Sequence, residues 1–406
     1  MLGVSVRQRV CFEVALDAKL PEKLERRLVI NDIFVIDGVA HCYDFSQGNR
    51  RENCEPSRHR DIVARTWEIG HCQLESREAG YPLSLREFSS RWAPEDMAHT
   101  FFVESDVDMI IHHSVQIGSY FPEGAPGWSV GVALKKIAPE RVLLFGPVDP
   151  FDGDRERQFA RMEQMAAEGA VGFKFYPSNG FFDKEANKLV SMLYDDPELA
   201  YPYFEKARSL GVKHLAFHKT MPVGQGPSTP AHVEDLSTAA AVFSDIIFEV
   251  VHSGWAFLEE CALQLKLHKN VYANLECAAN LVVRQPRRFA HIIGTLLQYG
   301  SPDQLLFASG CAISHVDPVL KAFADFEMPE DLIESYDYPP LTMDIKRKIL
   351  GENVAKLYGV DIDAKKRQLK GDEWSQRRAV GKAKPWSAHR SRINEPGFQG
   401  LGYEAD

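Results

Sequence analysis

His214-Leu-Ala-Phe-His218 and, one helix-like stretch later, Ile247-Phe-Glu-Val-Val-His252 decide how this chain is read. Each is strand length and mostly apolar, as strands of a parallel sheet buried on both faces are, and each ends in histidine. Working outward, six more such runs appear: Phe34–His41, Val107–His113, Val142–Asp149 and Ala170–Tyr176 before them, Val271–Glu276 and Gln304–Ser309 after. The segments between read as helices. Pro94–Glu104, Arg155–Glu168, Asp235–Phe243 and Ala256–Leu267 carry helical patterns, and Pro202–Leu210 stops at Gly211, a good helix terminator. Eight strands alternating with helices predict an α/β fold, a (β/α)8 TIM barrel. A doubly wound open sheet is the weaker reading, because no Gly-rich phosphate turn follows the first strand.

The domain plan is an N-terminal segment over 1–33, a barrel over 34–360 and an extension over 361–406. Cys42–Ser90 forms a long insertion after the first strand, to be read as a lid over the barrel mouth or as an outer decoration. The extension is polar, with Lys365-Lys-Arg367, Arg377-Arg378 and four aromatics, Trp374, Trp386, Phe398 and Tyr403. It cannot build a core alone, so it is expected to lie across its own barrel or a partner subunit.

Bulk properties narrow the function. The 406 residues are 45% hydrophobic and 26% charged, with net charge -10, which argues against nucleic acid as a partner. No apolar run reaches the ~18 residues of a membrane span, and the N-terminal stretch does not read as a signal peptide. Seven scattered cysteines, never spaced CxxC, fit neither a disulfide framework nor a thiolate zinc knuckle, and a reducing cytoplasm is expected. Nothing marks a nucleotide cofactor site.

In such a barrel, chemistry sits where strands end. His41, His113, His218, His252 and Glu276 all fall at strand ends. One such histidine is usually a hydrogen-bonded core residue. Several on different strands of a closed barrel are brought together by closure, and neutral imidazole suits zinc, iron or manganese. Of the adjacent pair His112 and His113, one points inward, and sequence does not say which.

These pieces carry a family resemblance. Val35–His41, Gly172–Pro177, Leu215–His218, Val250–Gly254, Asn270–Asn274, Leu305–Ser309 and the late helix Ile349–Gly359 together resemble the amidohydrolase 2 branch of the amidohydrolase superfamily, over about Phe34 to Tyr358. That branch includes the aminocarboxymuconate-semialdehyde and resorcylate decarboxylases. The resemblance implies a divalent metal held by His41, His218 and His252, with Glu276 as the carboxylate ligand, and a small-molecule substrate met by Lys174 and Tyr176. Two departures stand out. Val39 replaces the first histidine of the usual His-x-His, and Gly310 replaces the aspartate that normally binds metal and takes the proton of the attacking water. His113, Glu276 or His315 must then supply the catalytic base. The plain alternatives are that Glu276 pairs with an arginine and that His315 is a surface loop residue.

Three functions compete on this reading: hydrolysis or decarboxylation of a small acid or amide, an Fe- or Mn-dependent oxygenase subunit resembling the 2-aminoisobutyrate hydroxylase system, or a metal-bearing scaffold without activity. A homo-oligomer, or a hetero-oligomer with a homologous barrel, is expected in each case.

Overall fold

The computed structural model describes residues 33–183, 188–222 and 227–404; the N-terminal segment lies, but for Ile33, outside the described residues. All eight expected runs form strands of one sheet. They are β1 (Ile36–Ala40), β2 (Met109–His113), β3 (Val142–Val148), β4 (Ala170–Phe175), β7 (His214–His218), β8 (Ile247–Val251), β9 (Val271–Asn274) and β10 (Leu305–Leu306), joined in that order, with every pair parallel. An antiparallel hairpin that the sequence reading does not foresee, β5 (Ser178–Asp183) with β6 (Lys188–Ser191), stands apart after β4.

The last strand is the least regular. Only two residues pair with β9, and the chain then runs beside β1: Gly38 N donates to Phe307 O (2.9 Å), Gly310 N to Val39 O (3.1 Å) and His41 N to Cys311 O (2.6 Å). The barrel closes through these bonds. Asp37 reinforces the seam, because its carboxylate accepts from both Ser309 N and Ser309 Oγ.

Strand residues divide between two apolar layers, as period-two alternation requires. Ile110, Leu144, Phe173, Leu215, Phe217, Phe248 and Val250 pack outward against the helices, whereas Ile36, Met109, Ile111, Phe145, Ala216, Val251 and Leu306 fill the barrel. Each fully buried Phe or Leu here contributes roughly 1.5–3 kcal/mol. The alternation assigns the histidine pair: His113 faces inward and stacks on Phe145, while His112 lies outward, where a Cβ on Gly131 of the helix Trp128–Ile137 would touch its Nδ1. A bulge between Asp37 and Ala40 interrupts the alternation in β1, so the strict two-residue step from Val39 to His41 does not run unbroken through that strand.

The insertion forms a helix, Pro56–Arg65, that continues through a wider turn over Thr66–His71 and lies over the barrel mouth. His71 fastens it: Nδ1 donates to Ile313 O (2.9 Å) and Nε2 accepts from Leu83 N (2.7 Å). The C-terminal extension folds onto its own barrel as three helices, Ile362–Leu369, Glu373–Ala379 and Ser387–Ile393. Trp386 is fully buried, Arg141 grips Asp372 through Nε and Nη2 (2.6 and 2.8 Å), and His389 stacks on Trp92.

Candidate metal centre

The last four strands of the barrel share a local device. Thr220, His252, Cys277 and Gly310, at or just beyond their C-terminal ends, all have positive φ, between 61 and 66°. For the three non-glycine residues this left-handed backbone costs roughly 1–2 kcal/mol each, strain of the kind that gathers at functional sites. The chain turns sharply here and sends side chains over the mouth.

Four of the expected residues meet there. His41 Nε2 lies 2.9 Å from Glu276 Oε1; Glu276 Oε2 lies 3.5 Å from His252 Nε2; His252 Nε2 lies 3.1 Å from His218 Nδ1. The far nitrogens of two rings face main-chain carbonyls, His41 Nδ1 at His113 O (2.9 Å) and His218 Nε2 at Met221 O (2.7 Å). All four side chains are buried. Among the described residues, Glu276 pairs with no arginine. Burial opposes its charge, but His252, the hydrogen bond from His41 and Lys174 outweigh it, so the carboxyl is held well below its usual range. Burial pushes His218 well below the ordinary imidazole value and His252 down to about 4, so both rings are neutral at pH 7.

Gly310 explains how Glu276 comes to be here. A Cβ built on residue 310 would stand 2.9 Å from both Cγ and Oε1 of Glu276. The glutamate from the end of β9 therefore occupies the space a side chain on residue 310 would enter.

Lys174, from β4, is fully buried, and Nζ has no hydrogen-bond partner among the described residues. Burial lowers its pKa to about 8, against the pull of Glu276 and Glu249. Its ammonium lies 5.4 Å from the centre of the Tyr176 ring, which stacks on His218. His113 has both ring nitrogens unpartnered among the described residues, and burial together with Lys174 keeps it uncharged.

His315 does not join the group, and the expectation of it as a base or a surface residue needs correcting. It is buried under the C-terminal extension, with Nε2 on Glu104 (3.0 Å), Nδ1 accepting from Asp317 N (3.2 Å) and its ring against Trp386. Both nitrogens are used. Sequence reasoning did not single out Cys277, whose only signal was its place immediately after Glu276; its Sγ lies within 4.8 Å of a donor atom of each of His252 and Glu276.

Above these groups is a cavity of about 200 Å³, walled by Tyr43, Phe45, Val115, Phe121 and Met221 and by Ile62, Val63 and Ile69 of the insertion helix. Its floor is polar, with His41, His218, His252 and Glu276, and its sides are mostly apolar, with Arg65 and Thr66 of the insertion also among them.

Such a floor, at the carboxyl end of a (β/α)8 barrel, is where this class of fold places metal-assisted chemistry. The family model described as "Amidohydrolase" matches residues 122–360, more than half of the chain, and the protein belongs to that family of enzymes. The match begins after β1 and β2, the part that carries Val39 and the long insertion. Among solved structures, an uncharacterised TIM-barrel protein from Bordetella bronchiseptica is similar, at 16% identity over 81% of this chain and 99% of that one, with a TM-score of 0.54. A 5-carboxyvanillate decarboxylase from Novosphingobium aromaticivorans, solved with bound manganese, aligns at 12% identity over 81% and 97% of the two chains, with a TM-score of 0.48. No curated protein matches the sequence.

Proposed function

We propose that this chain is a metal-dependent hydrolase or decarboxylase of a small carboxylate or amide, with one divalent ion held by His41, His218, His252 and Glu276. The observation that carries this is where two imidazole lone pairs point. A carbonyl only accepts, so His41 Nδ1 and His218 Nε2 each bear the proton that faces their carbonyl. In the uncharged His218 ring Nδ1 is then bare and aims inward, and His41 Nε2 is the nitrogen turned toward Glu276. That nitrogen lies 2.9 Å from a carboxylate oxygen, a separation at which either a proton or a metal ion must stand between the two. Metal-bound histidines are typically oriented by this same outward N–H to a carbonyl.

Three imidazoles and a carboxylate make the four-donor set of zinc, and iron or manganese would accept them with added water. A bound ion supplies Lewis acidity and a water acidified toward pKa ~7. The chain's own groups do the rest. Glu276 Oε2, anionic and without a hydrogen-bond partner among the described residues, is the acceptor for the proton of an attacking water. His113, uncharged and unpartnered, is the second acceptor. Lys174, still mostly protonated at pH 7, neutralises a substrate carboxylate, and Tyr176 walls the position beside it. The mostly apolar upper cavity favours a small, poorly hydrated body, with Arg65 and Thr66 the polar groups on that wall.

The test is turnover of small aryl and alkyl carboxylates and amides, reading carbon dioxide, amine and oxygen consumption before and after chelation. Release of carbon dioxide or amine that stops on chelation and returns with added metal is expected. Oxygen consumption in its place would move the reading to an oxygenase, and turnover indifferent to chelation would end it.

A further inference from the structure

We propose that Cys277 is a thiolate ligand of the same metal centre, making it a site with a soft donor. This rests on the metal reading above. Three observations point to it. Cys277 Sγ and one donor atom each of His252 and Glu276 lie within 4.8 Å of one another, the spacing of atoms that share an ion. The residue takes a left-handed backbone (φ 61°) that a non-glycine adopts at a cost, and the side chain it positions is buried at the cavity wall. Two polar groups beside it, Glu276 Oε2 and His252 Nδ1, are buried with no hydrogen-bond partner among the described residues.

The chemistry balances simply. The thiol gives its proton to solvent as the sulfur–metal bond forms, so loading releases one more proton than a histidine and carboxylate set would. With Glu276 standing in the space that a side chain on residue 310 would enter, the thiolate adds a second anionic ligand beside it. It also tilts selection, since thiolate favours zinc, cobalt(II) or iron over magnesium and manganese.

The experiment titrates cobalt(II) into the full chain carrying Cys11→Ser and Cys72→Ser, so that neither of those thiols contributes. One equivalent bound, with a near-ultraviolet thiolate-to-cobalt charge-transfer band that disappears in Cys277→Ser, is expected, together with a loss of affinity of about tenfold or more, the scale that even outer-sphere changes carry. One equivalent bound without that band overturns the cysteine assignment and leaves the histidine–glutamate site standing. No cobalt bound overturns both. If Cys277→Ser does not fold, X-ray absorption of the zinc-loaded unsubstituted chain decides: a sulfur neighbour at about 2.3 Å supports the assignment, and a shell of nitrogen and oxygen alone refutes it.

Discussion

At the scale of the residue, the proposed centre rests on a substitution and its compensation. Losing the carboxylate expected at position 310 would leave three neutral imidazoles with no anionic partner. Glu276 enters from the neighbouring strand and fills the vacated volume, 2.9 Å from where a Cβ would be. The two positions are therefore exclusive. Gly310→Asp alone should not restore a family-like site: it should displace Glu276 and weaken metal binding at least tenfold, the scale at which disturbed outer-sphere partners act. Gly310→Asp with Glu276→Ala should recover most of that affinity. Isothermal titration of both variants checks this, and a single variant that binds as tightly as the unsubstituted chain would show that the two side chains do not compete. The ligand candidates were legible because each imidazole ends a strand. The compensation was not, because it depends on a close approach between residues 34 positions apart in sequence. Nor was the engagement of His315, whose partner Glu104 lies far upstream.

At the scale of the element, strand existence was readable from apolar runs bounded by turn residues, and helix stops such as Gly211 (φ 76°) were readable from chemistry. What escaped was local irregularity. The bulge in β1, the hairpin after β4 and the shortness of β10 all depend on cross-strand partners. The seam between the first and last strands depends on Asp37, whose carboxyl burial raises to about 7 despite its hydrogen bonds from Ser309 and Val39. The sign follows directly. The folded chain binds this proton more tightly than the unfolded one, so the contribution to stability is complete below the unfolded value of 3.8 and is lost as pH rises through about 7. Asp37→Asn, which keeps an acceptor for the Ser309 and Val39 amides, should flatten the decline in stability across that window. Urea midpoints measured from pH 4 to 8 test it; an unchanged slope would mean that other groups set the pH dependence.

At the scale of the whole molecule, the C-terminal extension is part of the barrel's own fabric. The sequence showed that it must lie on something, and the surface proved to be the helix Pro94–Phe102 and its neighbours. Glu104 is the anchor. Its carboxylate accepts from Trp386 N (2.8 Å), Ser387 N (2.9 Å) and Ser387 Oγ (2.8 Å), and pairs with His315 and His99 (3.0 Å each). Burial works against that charge, yet those bonds hold the carboxyl well below its usual range. Glu104→Gln should cost about 3 kcal/mol, because it leaves buried donors unmatched. Removing everything after Asp361 should lower the melting temperature markedly, contrary to what a partner-clamping tail would do. Calorimetry distinguishes the two, since a truncated chain that melts like the full one and changes only its elution volume would mark a clamp.

Metal content of the chain as purified is the most direct measurement, taken by elemental analysis alongside His218→Ala and His252→Ala. About one zinc, iron or manganese ion per unsubstituted chain is expected, falling to a small fraction in each variant while the far-ultraviolet spectrum is retained. An unsubstituted chain free of metal that also refuses added zinc, iron or manganese, or variants that keep full occupancy, would contradict the assignment: the proton on His41 would then be the cation that faces Glu276.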